Sequence, residues 1–230
     1  MKQIIIAIDG FAGCGKSTLA RQLAAKLGYT FLDTGAMYRA VTLYLQQQRI
    51  SWLDDAQLAA ALDDIHINIT TDKDGRTQTW LNGEWVEDKI RSMEVSNKVS
   101  EVAAVSRIRR FLVEQQQQIG RNGGVVMDGR DIGTVVFPQA ELKLFVTASM
   151  EARIQRRFME LQANGVMVTG DEIRMNLEKR DHEETTRADS PLRKADDAIV
   201  LDNTDMTPAQ QLAFALELAS HRIAAAGNGR

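Results

Sequence analysis

The chain has 230 residues, 44% of them hydrophobic and 26% charged, with a formal net charge of −3. That length suits one domain with a full core and room for an excursion from it, and the composition is ordinary for a globular protein. The slight acidity excludes a general attraction to nucleic acid or to an anionic membrane, so an anionic ligand would need a local cluster of arginines.

A single cysteine, Cys14, excludes an internal disulfide and a cysteine-based zinc site, and His66, His182 and His221 lack metal-ligand spacing. The apolar run near the N-terminus is broken by Asp9 and is too short for a signal peptide. No later stretch is long enough to span a membrane, so a cytoplasmic protein is expected.

"QIIIAID" is a continuous β-branched run suited to a central parallel strand covered on both faces. A glycine-rich turn follows, and "KSTLARQLAAKLG" then spaces Leu19, Leu23, Ala24 and Leu27 as a helix face, with Gly28 placed to end it. "YTFLD" predicts a second strand and "AMYRAVTLYLQQQ" a second helix. The stretch "IHINITTDKDGRTQTWLNGEWVEDKIR" alternates apolar and polar residues around Asp74-Gly75 and Asn82-Gly83, which predicts a small antiparallel unit inserted into an otherwise alternating chain. A surface hairpin without a role fits that pattern equally well.

"MEVSNKVSEVAAVSRIRRFLVEQQQQIG" is helical, with Gln115 to Gln118 as a solvated face, and the strands "GVVMD" and "ELKLFVT" come next. Ser149 is placed to cap the helix "MEARIQRRFMELQANG", and Thr169 with Glu172 has the spacing of a capping box opening "DEIRMNLEKRD". "DAIVLD" is a last strand, and Thr207-Pro208 with Gln210 opens the last helix. This alternation predicts an α/β protein, an open and mostly parallel sheet flanked by helices.

Gly10, Gly15, Lys16 and Ser17 satisfy G-x-x-x-x-G-K-[ST] between a strand and a helix, the context that makes the pattern a phosphate loop. Backbone N–H groups from Gly10, Phe11, Ala12, Gly13, Cys14, Gly15, Lys16, Ser17 and Thr18 would surround the phosphates of ATP, helped by the positive end of the helix. Lys16 would neutralise the β- and γ-phosphates, and the Ser17 hydroxyl would ligate the magnesium that accompanies ATP. Cys14, beside Lys16, would have its thiolate favoured electrostatically, although a small residue that merely fits also accounts for it.

A GTP switch should carry Asn-Lys-x-Asp, but the nearest string, "NKVS", has Ser100 in place of the aspartate. A mechanical ATPase should carry a glutamate after an apolar strand, where this chain has "VVMDGRD". Arginines instead follow the strands: Arg39, Arg130, Arg153, Arg156, Arg157, Arg180 and Arg187. Their planar forks match phosphate oxygens, so transfer to a phosphorylated acceptor is the chemistry they suit.

With these residues in view, the chain resembles the bacterial cytidylate kinases among the nucleoside monophosphate kinases. The resemblance runs through "IAIDGFAGCGKST", "FLDTGAMYRA", "KIRSMEVSNKVS", "DGRDIGTVVFP", the "RRF" helix, "EKRDHEETTRADSPL" and "DAIVLDNT". It implies a P-loop NTPase core at about 1–35, 120–152 and 190–230, and a monophosphate-binding subdomain at about 36–118. Within the subdomain lies a small antiparallel β insertion at about 62–90, and a short helical lid spans about 153–188. It implies transfer of a phosphoryl group from Mg-ATP to CMP or dCMP by a monomer.

The same resemblance implies that Thr34, Arg39, Arg130 and Arg187 hold the acceptor phosphate and that Ser100, Arg109 and Asp131 read the base, with Tyr38 in the acceptor site. Arg180 and Glu184 would contact the ribose, Arg153 and Arg157 would act from the lid, and Arg91 would be structural. Lys16, Arg130, Arg153, Arg157 and Arg187 would be the catalytic cations. Thr34, Glu184 and Phe11 depart from the serine, aspartate and proline expected at those positions, which puts the ribose contact of Glu184 in question. Whether Asp33 or Asp128 steadies the magnesium is left open. The rival readings are another P-loop small-molecule kinase, such as one acting on UMP, and a non-catalytic ATP-binding regulator.

Overall fold

A computed structural model describes residues 3–72, 77–163 and 165–227. The chain forms two compact units, one from Met1–Phe31 with Asn122–Arg230 and the other from Leu32–Arg121. The second is thus inserted into the first.

The first unit is built on a sheet with the strand order β2-β6-β1-β7-β8: Ile5–Gly10 (β1), Thr30–Asp33 (β2), Val125–Gly129 (β6), Leu142–Thr147 (β7) and Ile199–Asp202 (β8). β1 pairs in parallel with both β6 and β7, and β7 with β8. β1 is central and almost wholly buried, which is why it reads as an unbroken apolar run. Its Ile6 and Ile8, with Ile4 just before it, share a core with Leu19, Ala20, Leu23 and Ala24 of Lys16–Leu27 (α1) and with Ala215 and Ala219 of Pro208–Gly227 (α9). Gly28 ends α1 in the left-handed conformation at φ 67°, as its position predicts.

Two further helices complete this unit, Met150–Ala163 (α7) and Gly170–Thr186 (α8), which pack on each other through Leu161, Ile173 and Leu177 with Ala12 of the glycine-rich loop. Their starts match the sequence expectation: the Ser149 hydroxyl accepts from Ala152 N at 3.2 Å, and Thr169 with Glu172 forms a reciprocal capping box. Between β6 and β7 lies a π-helical turn, Ile132–Val136, that periodicity does not predict. The buried Asp9 carboxylate sets it, accepting from Ile132 N at 2.8 Å and Gly133 N at 2.7 Å.

In the second unit, Thr34–Gln47 (α2) packs against Glu87–Ile90 (α4), Met93–Ala103 (α5) and Ser106–Gly120 (α6). Asp55–Asp64 (α3), capped by the Asp54 side chain, is a helix not anticipated from the sequence. Three strands, Ile67–Thr71 (β3), Thr77–Leu81 (β4) and Glu84–Trp85 (β5), form the antiparallel sheet. Asn82 and Gly83 turn β4 into β5 with φ of 50° and 81°, the left-handed pair that an Asn-Gly hairpin uses. The other turn signal, Asp74-Gly75, lies outside the described residues.

Two expectations need correction here. The helix read as continuous over 93–120 breaks at Ala104-Val105, because Val105 is extended and the Arg109 guanidinium takes the Ala103 carbonyl at 3.0 Å. Gln116, expected on a solvated face, is 1% exposed, since its stretch of α6 turns that residue inward.

Candidate active site

The glycine-rich loop of the first unit starts where β1 ends. Gly10 has φ 148°, and a Cβ there would lie 2.0 Å from the Val146 carbonyl oxygen, so no other residue fits. Gly13 and Gly15 are left-handed at φ 76° and 77°, and α1 follows at once with Lys16. The turn therefore ends on the unpaired N–H groups of a helix start, the usual anion-binding arrangement.

Lys16 is 5% exposed and donates to the Phe11 carbonyl at 2.7 Å. Burial, reinforced by the nearby Arg130 charge, brings its ammonium down to about 8, a site short of negative charge. The Ser17 hydroxyl donates to Asp128 Oδ2 at 2.5 Å, so a hydroxyl and a carboxylate meet at the root of α1. Asp33, the other carboxylate considered for magnesium, is committed within the second unit. It caps α2 by accepting from Ala36 N at 3.0 Å and pairs with Arg91 at 2.9 Å. Burial would raise its pKa, but Arg91 holds it below the ordinary carboxylate value. Arg91 also pairs with Glu87, which fits its expected structural part.

The thiolate expected at Cys14 is not favoured. The side chain is fully buried and its pKa is raised, because desolvation outweighs Lys16, Arg153 and Arg130. Its carbonyl accepts from the Asn203 amide at 2.7 Å.

Next to the loop is a cavity of about 340 Å³ lined by Gly13 to Gly15, Thr18, Arg156, Arg157, Pro208 and Gln211, among others. Arg156, which the sequence reading did not include among the site residues, stands in this wall and bonds Asn203 through both terminal nitrogens. Arg157 pairs with Glu160 at 2.8 Å in the same wall. Arg153 lies deeper: it pairs with Asp181 at 2.8 Å, donates to the Ala12 carbonyl at 3.3 Å and stacks 5.4 Å from the Phe11 ring. Phe11, in place of the expected proline, thus gives this arginine an aromatic face.

A second charged group gathers at the end of β6 and on α8. Arg130 donates to Glu184 at 2.6 Å, and Arg180 reaches the other oxygen of the same carboxylate at 3.4 Å. Burial alone would raise the Glu184 carboxyl, yet Arg130 and Arg180 bring it down to about 2. Arg187 donates to the Ser190 carbonyl at 2.8 Å and lies 4.0 Å from the buried Asp131 carboxylate. Three arginines and two carboxylates are held within one unit.

The remaining residues expected at the acceptor site belong to the second unit. Arg109 is 2% exposed, with its guanidinium 5.3 Å from the Tyr38 ring. The break between α5 and α6 lets it turn back, while Ser100 lies on α5. Arg39 donates to Ser96 Oγ at 2.9 Å and to the Ile90 carbonyl at 3.2 Å, and Thr34 is buried at the start of α2. The predicted acceptor set is therefore divided between the two units: Thr34, Tyr38, Arg39, Ser100 and Arg109 in one, Arg130, Asp131, Arg180, Glu184 and Arg187 in the other.

A parallel sheet flanked by helices, with a lysine-bearing glycine loop between its central strand and first helix, defines a P-loop kinase fold. A shikimate kinase from Bacteroides thetaiotaomicron superposes with a TM-score of 0.50 at 10% identity, covering 95% of this chain and 99% of that one, a likeness of fold alone. The family model for cytidylate kinase matches residues 6–221. The cytidylate kinase of Parabacteroides distasonis is 53% identical over 221 residues, 94% of this chain and 96% of that protein. That of Bacteroides fragilis is 54% identical over 215 residues, 92% and 94% of the two chains. The chain belongs to the cytidylate kinase family and is an ATP-dependent phosphotransferase.

Proposed function

We propose that the protein transfers the γ-phosphoryl group of Mg-ATP to the phosphate of CMP or dCMP, giving ADP and CDP or dCDP in pyrimidine nucleotide metabolism. The observation that carries this reading is the pairing, within one unit, of a phosphate loop with the Arg130, Arg180 and Arg187 cluster, in a chain whose relatives are named cytidylate kinases. A loop alone would serve any nucleotide hydrolase. The arginine cluster is what a phosphorylated acceptor requires.

Lys16 and the N–H groups from Gly10 to Thr18 hold the triphosphate. The pair Ser17 and Asp128 has the hard oxygen donors that magnesium takes, either directly or through its waters, and Asp128 is preferred to Asp33 because Arg91 and the α2 cap already occupy the latter. Magnesium, when bound with ATP, supplies charge neutralisation on the β- and γ-phosphates. The cavity beside Thr18, Arg156, Arg157, Pro208 and Gln211 takes the donor's base.

Arg130 and Arg187 hold the acceptor phosphate together with Thr34 and Arg39, Asp131 reads the base with Ser100 and Arg109, and Arg180 with Glu184 meets the ribose. The acceptor oxygen is already anionic, so no general base is needed. Positioning and arginine charge supply most of the rate. Residues 153–188 act as a lid whose Arg153 and Arg157 face the transferring group and exclude water. The protein acts as a cytoplasmic monomer without nucleic acid or membrane partners, and among the described residues no helix is long and apolar enough to cross a membrane.

The test is ADP release from Mg-ATP against CMP, dCMP, UMP, AMP, GMP and shikimate. Turnover led by CMP and dCMP is expected. A UMP preference would keep the phosphate sites and discard the base assignment, and ATP binding without turnover on any acceptor would favour a regulator.

A further inference from the structure

Asn203 lies just after β8, is 0% exposed, and spends every polar atom on a neighbour. Its Nδ2 donates to the Cys14 carbonyl at 2.7 Å and to Gln211 Oε1 at 2.9 Å. Its Oδ1 accepts from Arg156 Nη1 at 2.8 Å and its carbonyl from Arg156 Nη2 at 2.7 Å, while its N–H donates to Thr147 at 2.9 Å. The fixed partners decide which way the amide points: only its nitrogen can face the Cys14 carbonyl, and only its oxygen can face an arginine.

We infer that Asn203 is a positioning residue for the phosphate donor, holding the Cys14–Gly15 peptide so that its N–H faces the phosphates and fixing Arg156 in the wall of the adjoining cavity. In a trans peptide the carbonyl and the following N–H point in opposite directions. Drawing the Cys14 carbonyl toward Asn203 therefore turns the Gly15 N–H into the loop. The flanking glycines, left-handed at φ 76° and 77°, would let an untethered peptide rotate and put a carbonyl oxygen among phosphate oxygens instead. Gln211 fixes the amide from the far side, because its own Nε2 donates to the Met206 carbonyl at 3.1 Å and leaves Oε1 for Asn203.

This inference rests on the ATP-donor reading above, and the test separates the two. Wild-type protein is first titrated with Mg-ATP and with magnesium tripolyphosphate, which has the phosphates but no base. Absence of ATP binding here would defeat the function reading itself. Asn203→Asp keeps the shape but places an oxygen against the Cys14 carbonyl. It is expected to weaken tripolyphosphate and ATP alike by about tenfold, the scale of one charge-assisted contact, and to raise KM for ATP while KM for CMP stays within about twofold. Unchanged tripolyphosphate affinity in the folded variant, or an equal rise in both KM values, overturns the inference. Should Asn203→Asp not fold, Gln211→Leu, which loosens the amide from the surface of α9, is measured in the same way. A tripolyphosphate affinity weakened about threefold is then expected, and wild-type affinity overturns it.

Discussion

A carboxylate that accepts from the exocyclic amine of cytosine would meet a carbonyl oxygen in uracil, leaving two acceptors face to face in a buried site. Asp131 is buried and lies 4.0 Å from Arg187, so in the proposed base-reading role its carboxylate would face such a mismatch away from bulk solvent. Asp131→Ala is expected to lower kcat/KM for CMP by about 10³-fold or more and to narrow the preference over UMP, while the Kd for ATP stays within about twofold. Equal loss in the CMP and ATP titrations would remove Asp131 from base recognition. At this scale the sequence speaks most directly where residues sit in a contiguous motif: Lys16 and Ser17 lie in a phosphate-loop string whose chemistry can be named, whereas the parts proposed for Arg130 and Asp131 come from the family resemblance. Asn203 was not singled out because its partner Cys14 is 189 residues away, and Arg156 was named with Arg153 and Arg157 but given no site because nothing in the spacing of three arginines on one helix says which of them faces a cavity. Of the two readings left open at Cys14, the structure opposes the thiolate. Its neighbour Lys16 is visible in the sequence, but the burial that opposes the thiolate is not.

Elements carry the next set of expectations. Leu23 on α1 is fully buried in the core shared with β1 and α9, so Leu23→Ala is expected to cost about 2–5 kcal/mol, read as a shift of the urea midpoint. Gly83 is different: a Cβ there meets nothing within 4 Å, and only the positive φ of 81° resists substitution. Gly83→Ala is expected to destabilise by about 1 kcal/mol through backbone strain alone, with kcat for CMP unchanged; a loss of turnover would give the β3–β5 sheet a direct part in catalysis. Periodicity and capping signals identified the parallel strands, α1, α7, α8 and α9, because burial on both faces or on one stripe leaves a repeating trace. They failed at the α5–α6 break, where one arginine reaching back to Ala103 decides the geometry, and at the π-helical turn, where Asp9 reaches across from another strand. In both a side chain binds a main-chain group that no local period marks. In α3 four of ten residues are alanines before an acidic pair, too weak an apolar stripe to mark the helix, and Asp54 as its cap is the better signal.

At the scale of the whole molecule, the depressed Glu184 carboxyl couples stability to pH. Its pKa falls from an ordinary 4.5 to about 2 on folding, so its stabilisation is complete above 4.5 and disappears as the pH drops toward 2. The effect is on the order of 3 kcal/mol, and Glu184→Gln is expected to flatten the fall in urea stability between pH 5 and 3. An unchanged slope would mean that Arg130 and Arg180 do not hold this carboxylate in solution. The division into an inserted unit and a split one also bears on how the protein is made. Leu32–Arg121 is continuous and can pack once it has left the ribosome, whereas the glycine loop, which precedes it in the chain, lacks the tether inferred above until Asn203 emerges. On that inference the nascent chain is expected to complete its inserted unit before its phosphate loop, with full competence to bind ATP following the emergence of β8 and α9.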